Sequence, residues 1–550
     1  MPKLTAIELE KFQTISKHTI IPIRDLTLMF GPNGAGKSSI FDALEIMNTL
    51  FSDDWGKGNE KLNSYLDRWA RKDGSEESAD EIGFGFQFTF EEGWVPDGLP
   101  REKEASLRHI AIPSLTSRDY IEDFEGRNFK FFIKFKKSDY WGWSILELTF
   151  QNDEKKFLEV VTDGKHSPRL DIYDAGWINL YPINTQKDKL TNIENDGDRF
   201  SYHLEPRLED MNPTQWLHHD IYDHASPEDF AALNQLEAVA QQVIEFFKIV
   251  FNKHFFAVDH KNLPLVKASR TVPSRDEVIS IVSGEVYERS DGKMGRPVNI
   301  NYSTTLLSIA NSLNKLQPHW SYLCASLAHA KSEDGVAPEV IEWDLMDSIA
   351  KINWMLREDL FIENGYQLDG EVLCLTDIQE IADVWVENAK HYPKIVRLYL
   401  KDHQQRTVEI EDVGSGIGYI LPVLASLSHD GRALIQQPEL HLHPALQSAL
   451  GDSIVRSIEN YKYHDQFCLI ETHSEHLLLR ILKLLRNVEK RVDEVVSPLT
   501  FDKVAVLYFE PKSDGTTKVH RLRLSPDGKL IDRWPGGFFN ERYKDLFDDE

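Results

Sequence analysis

Gly31-Pro32-Asn33-Gly34-Ala35-Gly36-Lys37-Ser38 fits the pattern G-x-x-x-x-G-K-[ST], and no other stretch limits the fold as tightly. Such a loop works between a β-strand and an α-helix, where its N–H groups and the helix N-terminus converge on one anion. Both flanks comply. Asp25 to Phe30 is an apolar strand, and Ile40, Ala43, Leu44 and Met47 recur at helical spacing beyond the loop. The backbone amides can cradle phosphates, Lys37 can neutralise the β/γ charge, and the Ser38 hydroxyl can meet Mg²⁺.

Far down the chain, three more polar elements follow apolar strands. Asp412-Val413-Gly414-Ser415-Gly416-Ile417-Gly418 opens a helix, where free backbone donors and the dipole favour an anion. ALIQQPELHLHP is a strand (Arg432 to Ile435) that turns polar at Gln436, and the strand Phe467 to Ile470 runs into ETHSEH. Their order fits the rule that parallel sheets bind ligands at the carboxyl ends of their strands.

Between these ends the pattern changes twice. From Lys57 to Glu81 the chain is polar, with RKDGSEESADE its most disorder-like run. GFGFQFTF then places Phe84, Phe86, Phe88 and Phe90 on one face, and NFKFFIKFKK and WSILELTF continue the period of two, predicting an antiparallel sheet with an aromatic inner face. After about residue 185 the spacing predicts helices: one capped at Ser226 and running to Val250, then others near 305–330, 338–358 and 376–390. No heptad is sustained there. Strands return at Ile395 to Leu400 and Thr407 to Ile410, and a hairpin turning at Asp514-Gly515 follows the last helix. The expected division is 1–185, an N-terminal part with the P-loop and β lobe; 186–393, a mainly helical insertion; and 394–550, the C-terminal part.

The set GPNGAGKSS, DVGSGIG, QQPELHLHP and ETHSEH resembles the ABC-type ATPases of the SMC, RecF and OLD group. The resemblance implies an α/β fold, an ABC-type P-loop ATPase head with a mixed sheet and an antiparallel β lobe, assembled from both chain ends. It implies ATP and Mg²⁺ as cofactors, and a homodimer or higher homo-oligomer with ATP sandwiched between the Walker A loop of one subunit and the signature turn of the next. Nucleotide contacts then fall to Asn33, Gly34, Ala35, Gly36, Lys37, Ser38 and Ser39, with Gly414, Ser415 and Gly416 acting in trans. Ser38 and Gln436 take the metal positions, Gln437 and Glu439 follow the Walker B strand, His441 to Pro444 form the D-loop, and His473 is the switch histidine.

One departure bears on rate. The family places a Mg-organising carboxylate and a catalytic Glu where this chain has Gln436 and Gln437. An amide orients water but accepts no proton, and losing a general base costs roughly 10²–10⁴ in rate. Either Glu439 substitutes or hydrolysis is slow with ATP chiefly a dimer clamp; slow hydrolysis is the reading carried forward, with Gln437, Glu439 and His473 as the catalytic set.

Length between the motifs sorts the group. A transporter's nucleotide-binding subunit has far less chain between Walker A and signature, and a long-armed SMC would fill the gap with heptads. A RecF- or SMC-like DNA repair ATPase remains the alternative. OLD nucleases carry a metal-binding domain with Asp-x-Asp after the head; none follows His473 here, so no intrinsic nuclease is expected. The layout then resembles the ATPase subunit of Septu-type anti-phage systems, whose partner is a separate HNH nuclease, including versions linked to a retron reverse transcriptase and its small DNA. This step rests on resemblance, not residue chemistry.

Charge and smaller clusters complete the reading. With 62 Lys and Arg against 89 Asp and Glu, a net charge of −27 excludes a chain that coats nucleic acid broadly. Local contact is left to stripes such as Lys130, Lys134 and Lys136, or Arg480, Lys483, Arg486 and Lys490. The chain has three scattered cysteines, no apolar run that spans a bilayer and no signal-peptide block, so a cytoplasmic protein with no membrane role is expected. His218, His219, Asp220, Asp223 and His224 read as a solvated turn rather than a metal site, and His441 and His443 as structural.

Overall fold

The computed structural model describes residues 2–51, 64–71, 81–90, 128–138, 142–152, 156–161, 169–173, 193–196, 199–203, 265–272, 279–282, 318–331, 346–374, 394–429, 432–461, 467–488 and 497–539. The segments Ser226 to Val250 and 376–390, and the His218 to His224 cluster, lie outside these residues.

Along the chain come β1 (Pro2–Glu10), β2 (Thr19–Pro22), β3 (Leu26–Phe30) and, after the Gly-rich loop, α1 (Ser39–Phe51). Then follow β4 (Glu81–Phe90), β5 (Asn128–Ser138), β6 (Gly142–Asn152), β7 (Lys156–Val161), β8 (Arg169–Tyr173), β9 (Ile193–Asp196) and β10 (Arg199–His203). Except for β3, these strands form one antiparallel sheet in the order β2-β1-β4-β5-β6-β7-β8-β10-β9. Its register sets Phe86 opposite Phe131 and Phe131 opposite Phe150. Rings of Phe86 and Phe131 stack at 5.3 Å and those of Phe88 and Phe129 at 5.6 Å, so the aromatic face predicted by the alternation is the inner face of this lobe. Such pairs contribute about 0.5–1.5 kcal/mol each beyond area burial. Ahead of the disorder-like run, residues 64–69 are helical and bury Leu66 and Trp69, the Trp69 ring lying 6.2 Å from that of Phe12.

The described middle of the chain has helices within two of the expected spans, near 305–330 and 338–358, and strands that the helical expectation did not include. Strand β10 extends the lobe beyond residue 185, and β11 (Ile279–Val282) and β12 (Gln367–Cys374) are also strands. Both pair antiparallel with β13 (Lys394–Lys401), which also takes β14 (Thr407–Val408). Helices α2 (Pro318–Ala330) and α3 (Ser348–Trp354) lie between β11 and β12. Asp347 caps α3, and the chain continues as a π-helical turn, Met355–Leu360. Trp320, Leu323 and Leu327 of α2 share one buried core with Leu26, Leu28 and Phe30 of β3.

The last part supplies α4 (Ser415–Ser428), β15 (Arg432–Gln436), α5 (Pro444–Glu459), β16 (Phe467–Glu471), α6 (Glu475–Arg486), β17 (Val504–Pro511) and β18 (Thr517–Leu522). Its sheet runs β15-β16-β3-β17-β18, parallel except for the final hairpin. Every residue of β3 and β16 is buried, as expected for parallel strands covered on both faces. The strand carrying the P-loop thus sits between strands from the opposite end of the chain.

Candidate functional site

Parallel register places three strand ends at one level. Gln436 pairs with Glu471 across β15 and β16, and Glu471 pairs with Met29 on β3. The loop leaves β3 through backbone open only to glycine: Gly36 has φ +81°, and a Cβ there would lie 2.1 Å from Thr14 Oγ1. Among the described residues, no carbonyl or side chain accepts the N–H of Gly34, Gly36, Lys37 or Ser38, which leaves a ring of donors for phosphate oxygens. Ser39 braces the ring from behind. Its Oγ donates to Gln13 Oε1 at 2.7 Å, and Gln13 Nε2 donates to Asp42 at 2.6 Å.

Lys37 is buried, and its Nζ donates to the carbonyls of Gly31 and Pro32 at 3.0 Å, with Glu471 Oε1 3.6 Å away. Burial holds its ammonium below the ordinary lysine range, against the opposing pull of Glu471 and Glu439. Ser38 Oγ donates to Glu471 Oε2 at 3.1 Å. Gln436 Nε2 lies 3.2 Å from both Ser38 Oγ and that same carboxylate oxygen, while its Oε1 accepts from the Ala268 N–H at 3.4 Å. A carboxylate only accepts and a backbone N–H only donates, so the amide lies one way round. Gln436 therefore presents nitrogen, not oxygen, to Ser38, which differs from the metal-ligand position expected of it.

Glu439 faces Thr472 and His473 rather than open solvent. Its oxygens accept from Thr472 Oγ1 at 2.8 Å and from the His473 N–H at 2.7 Å, and burial pushes its carboxyl up. Gln437 adopts φ +45° and donates its N–H to the Glu471 carbonyl at 2.7 Å. His473 is held below the ordinary imidazole range by burial and then by the Lys37 charge, which keeps it neutral at pH 7. Its Nε2 is buried and has no hydrogen-bond partner among the described residues. Ser474 caps α6 behind it, accepting from the Leu477 N–H at 3.0 Å.

Arg270 organises the other side of this cluster and left no motif in the sequence. Its guanidinium is buried and donates to the carbonyls of Tyr419 (2.9 Å), Gln436 (3.1 Å) and Gln437 (3.1 Å). It thereby ties α4, which begins after Gly414, to the end of β15. Gly414 is the N-cap of α4, and a Cβ on Gly416 would lie 3.1 Å from the His441 carbonyl. No hydrogen bond among the described residues joins Gly414, Ser415 or Gly416 to the P-loop of the same chain. The His441 ring lies 4.2 Å from that of Tyr419, tilted by 36°, and His443 caps α5.

Lys130, Lys134 and Arg480, from the two basic stripes, are paired within the chain. Lys130 meets Glu8 at 2.9 Å, Lys134 meets Glu10 at 2.7 Å, and Arg480 holds Asp452 through two nitrogens.

A P-loop with free amides, a buried lysine and a polar neighbouring strand end is the framework of a nucleotide site, and the comparison with known families agrees. The family described as AAA ATPase domain matches residues 3–478. The chain belongs to that family. It is an ATPase, with the α/β P-loop head assembled from both chain ends that its motifs anticipated. Residues 499–548 match a second family, described as a protein of unknown function (DUF3696). No curated protein matches the chain. Among solved structures it is similar to the SMC head bound to the C-winged helix domain of ScpA, at 11% identity and TM-score 0.36, covering 95% of this chain and 98% of that one. The Smc head domain bound to the C-terminal domain of ScpA from Pyrococcus furiosus gives 12% and 0.34, covering 100% and 99%. The SMC head domain from Thermotoga maritima gives 10% and 0.34, covering 95% and 100%. Among the described residues, no helix of this ATPase is long and apolar enough to cross a membrane.

Proposed function

We propose that this ATPase binds ATP with Mg²⁺, hydrolyses it slowly, and dimerises around it to hold a separate nuclease under control in anti-phage defence. The observation that supports the nucleotide half is the meeting of Lys37, Ser38 and the partnerless Nε2 of His473 at one strand end. Lys37 exchanges two carbonyls for phosphate oxygens, the free amides of Gly34, Gly36, Lys37 and Ser38 hold the remaining phosphate charge, and His473 donates from Nε2 to the terminal phosphate. Hydroxyl and carboxylate oxygens at Ser38 and Glu471 suit a hard divalent cation. Bound Mg²⁺ supplies charge neutralisation at the phosphoryl oxygens.

Slow turnover follows from what is left to accept a proton. Gln437 positions a water but cannot take its proton, and both oxygens of Glu439 are occupied by Thr472 and His473. Glu439 is thus a strut for the switch histidine. Gly414, Ser415 and Gly416 serve the ATP of a second subunit, in keeping with their place beside the D-loop rather than on their own P-loop.

The regulatory half rests on the motif resemblance to Septu-type subunits and on the acidic chain, which leaves nucleic acid to an HNH-type partner, with a retron reverse transcriptase and its small DNA in some assemblies. One experiment on the purified chain tests the reading. Wild type should bind ATP by calorimetry, turn over below about 1 s⁻¹, and leave DNA uncut with Mg²⁺ or Mn²⁺. Lys37→Ala should weaken ATP binding at least 10²-fold, about 2.7 kcal/mol, and abolish ATP-driven dimerisation. Unaltered affinity in Lys37→Ala, or cleavage by wild type, would defeat it.

A further inference from the structure

We propose that Glu471, at the end of the strand beside the P-loop strand, supplies the cation-organising carboxylate that position 436 lacks, and that Gln436 aims it. The inference rests on the nucleotide reading above and deepens it.

Three observations carry it. First, Glu471 is the carboxylate that meets the P-loop hydroxyl: Ser38 Oγ donates to its Oε2 at 3.1 Å. Second, residues 436 and 471 are Cα partners in the parallel register, so the negative charge has moved sideways by one strand without changing its height above the sheet. Third, the amide at 436 is committed. Ala268 N–H fixes its oxygen and Glu471 Oε2 takes its nitrogen, so it holds the carboxylate in place and offers the cation no oxygen. Backbone bonding stiffens the pair further, since the Gln437 N–H donates to the Glu471 carbonyl at 2.7 Å.

A simpler role for Glu471 is that of counter-ion to Lys37, whose Nζ is 3.6 Å from Oε1. The two roles separate cleanly. A counter-ion influences ATP affinity whether or not metal is present; a cation ligand influences only the increment that metal adds. In this geometry Lys37 is already hydrogen-bonded to two carbonyls at 3.0 Å, closer than it is to Glu471.

The test is calorimetric titration of ATP in EDTA and in Mg²⁺, with electron paramagnetic resonance of Mn²⁺ as a direct metal readout. Glu471→Gln should lose on the order of 10–100-fold of the tightening that Mg²⁺ gives, and should bind Mn²⁺ correspondingly more weakly in the presence of ATP. ATP binding in EDTA should persist, which also shows that the variant folds. The double variant Gln436→Glu with Glu471→Gln, which returns the carboxylate to the neighbouring strand, should recover most of the metal increment. Full Mg²⁺ tightening in Glu471→Gln overturns the inference. So does a Glu471→Gln variant whose affinity changes equally in EDTA and in Mg²⁺, the mark of a counter-ion. A wild-type chain that binds no ATP in either buffer removes the nucleotide reading, and this inference falls with it.

Discussion

In the antiparallel lobe, Lys130, Lys134 and Lys136 reach Glu8, Glu10 and Glu81 across neighbouring strands; at the strand ends, Lys37 lies among carbonyls and His473 keeps a ring nitrogen with no partner among the described residues. Both regions mix cations with carboxylates, and one parallel or antiparallel register sets each arrangement. Among the described residues, the lobe face pairs these lysines internally. In the strand-end cluster, free amides, a lysine with a lowered pKa and a buried Nε2 all converge where the loop meets β16. A sheet face that neutralises itself has nothing left for a ligand, whereas unfinished bonding marks a place built for one.

The largest effect that would sharpen this contrast is a gain of function. Gln437→Glu places a proton acceptor where the chain holds an amide, and turnover of ATP should rise on the order of 10²-fold. Single-turnover hydrolysis is the measurement; an unchanged rate would mean that chemistry is not limited by a missing base. Next comes the frame itself. Arg270→Met removes donors from the carbonyls of Tyr419, Gln436 and Gln437, and should cost roughly 2–4 kcal/mol in chemical denaturation. A cost below about 0.5 kcal/mol would show that α4 and β15 hold their places without it.

The sequence disclosed the parts whose chemistry repeats along the chain. Phe84, Phe86 and Phe88 alternate and are buried, and the apolar runs of β3 and β16 stop where their strands stop. It did not disclose relations set by pairing. Glu471 stands in plain view in ETHSEH, yet its meeting with Ser38 and Gln436 depends on a register between strands distant in sequence. Arg270 bonds to carbonyls, which every residue owns, so its partners leave no trace in side-chain types. Strand β12 carries no clear strand signal in the sequence, because Asp369, Gly370 and Glu371 interrupt its apolar character. Lys331 and Lys401 each meet Asp369 at 2.7 Å, which lets the strand carry that charge.

The smallest expected effect lies in the lobe and has a definite sign with pH. Burial alone would raise the Glu81 carboxyl, but the bond from Lys11 and the charges of Lys11, Lys134 and Lys136 hold it below the ordinary range of 4.5. Its folded form therefore binds a proton less readily than its unfolded form, and the ion pairs add stability that is present above pH 4.5 and lost as pH falls through the lower folded value. These groups are partly solvated, so the contribution should stay within about 1 kcal/mol and shrink with salt. Thermal melting of wild type and Glu81→Gln should differ slightly above pH 4.5 and converge as pH falls through the lowered folded value. A separation that grows as pH falls would reverse the sign and break the picture of a self-neutralised face. The strand-end cluster should be untouched by this variant, with ATP affinity in Glu81→Gln equal to wild type, because no bond of Glu81 reaches beyond Lys11, Lys134 and Lys136 among the described residues.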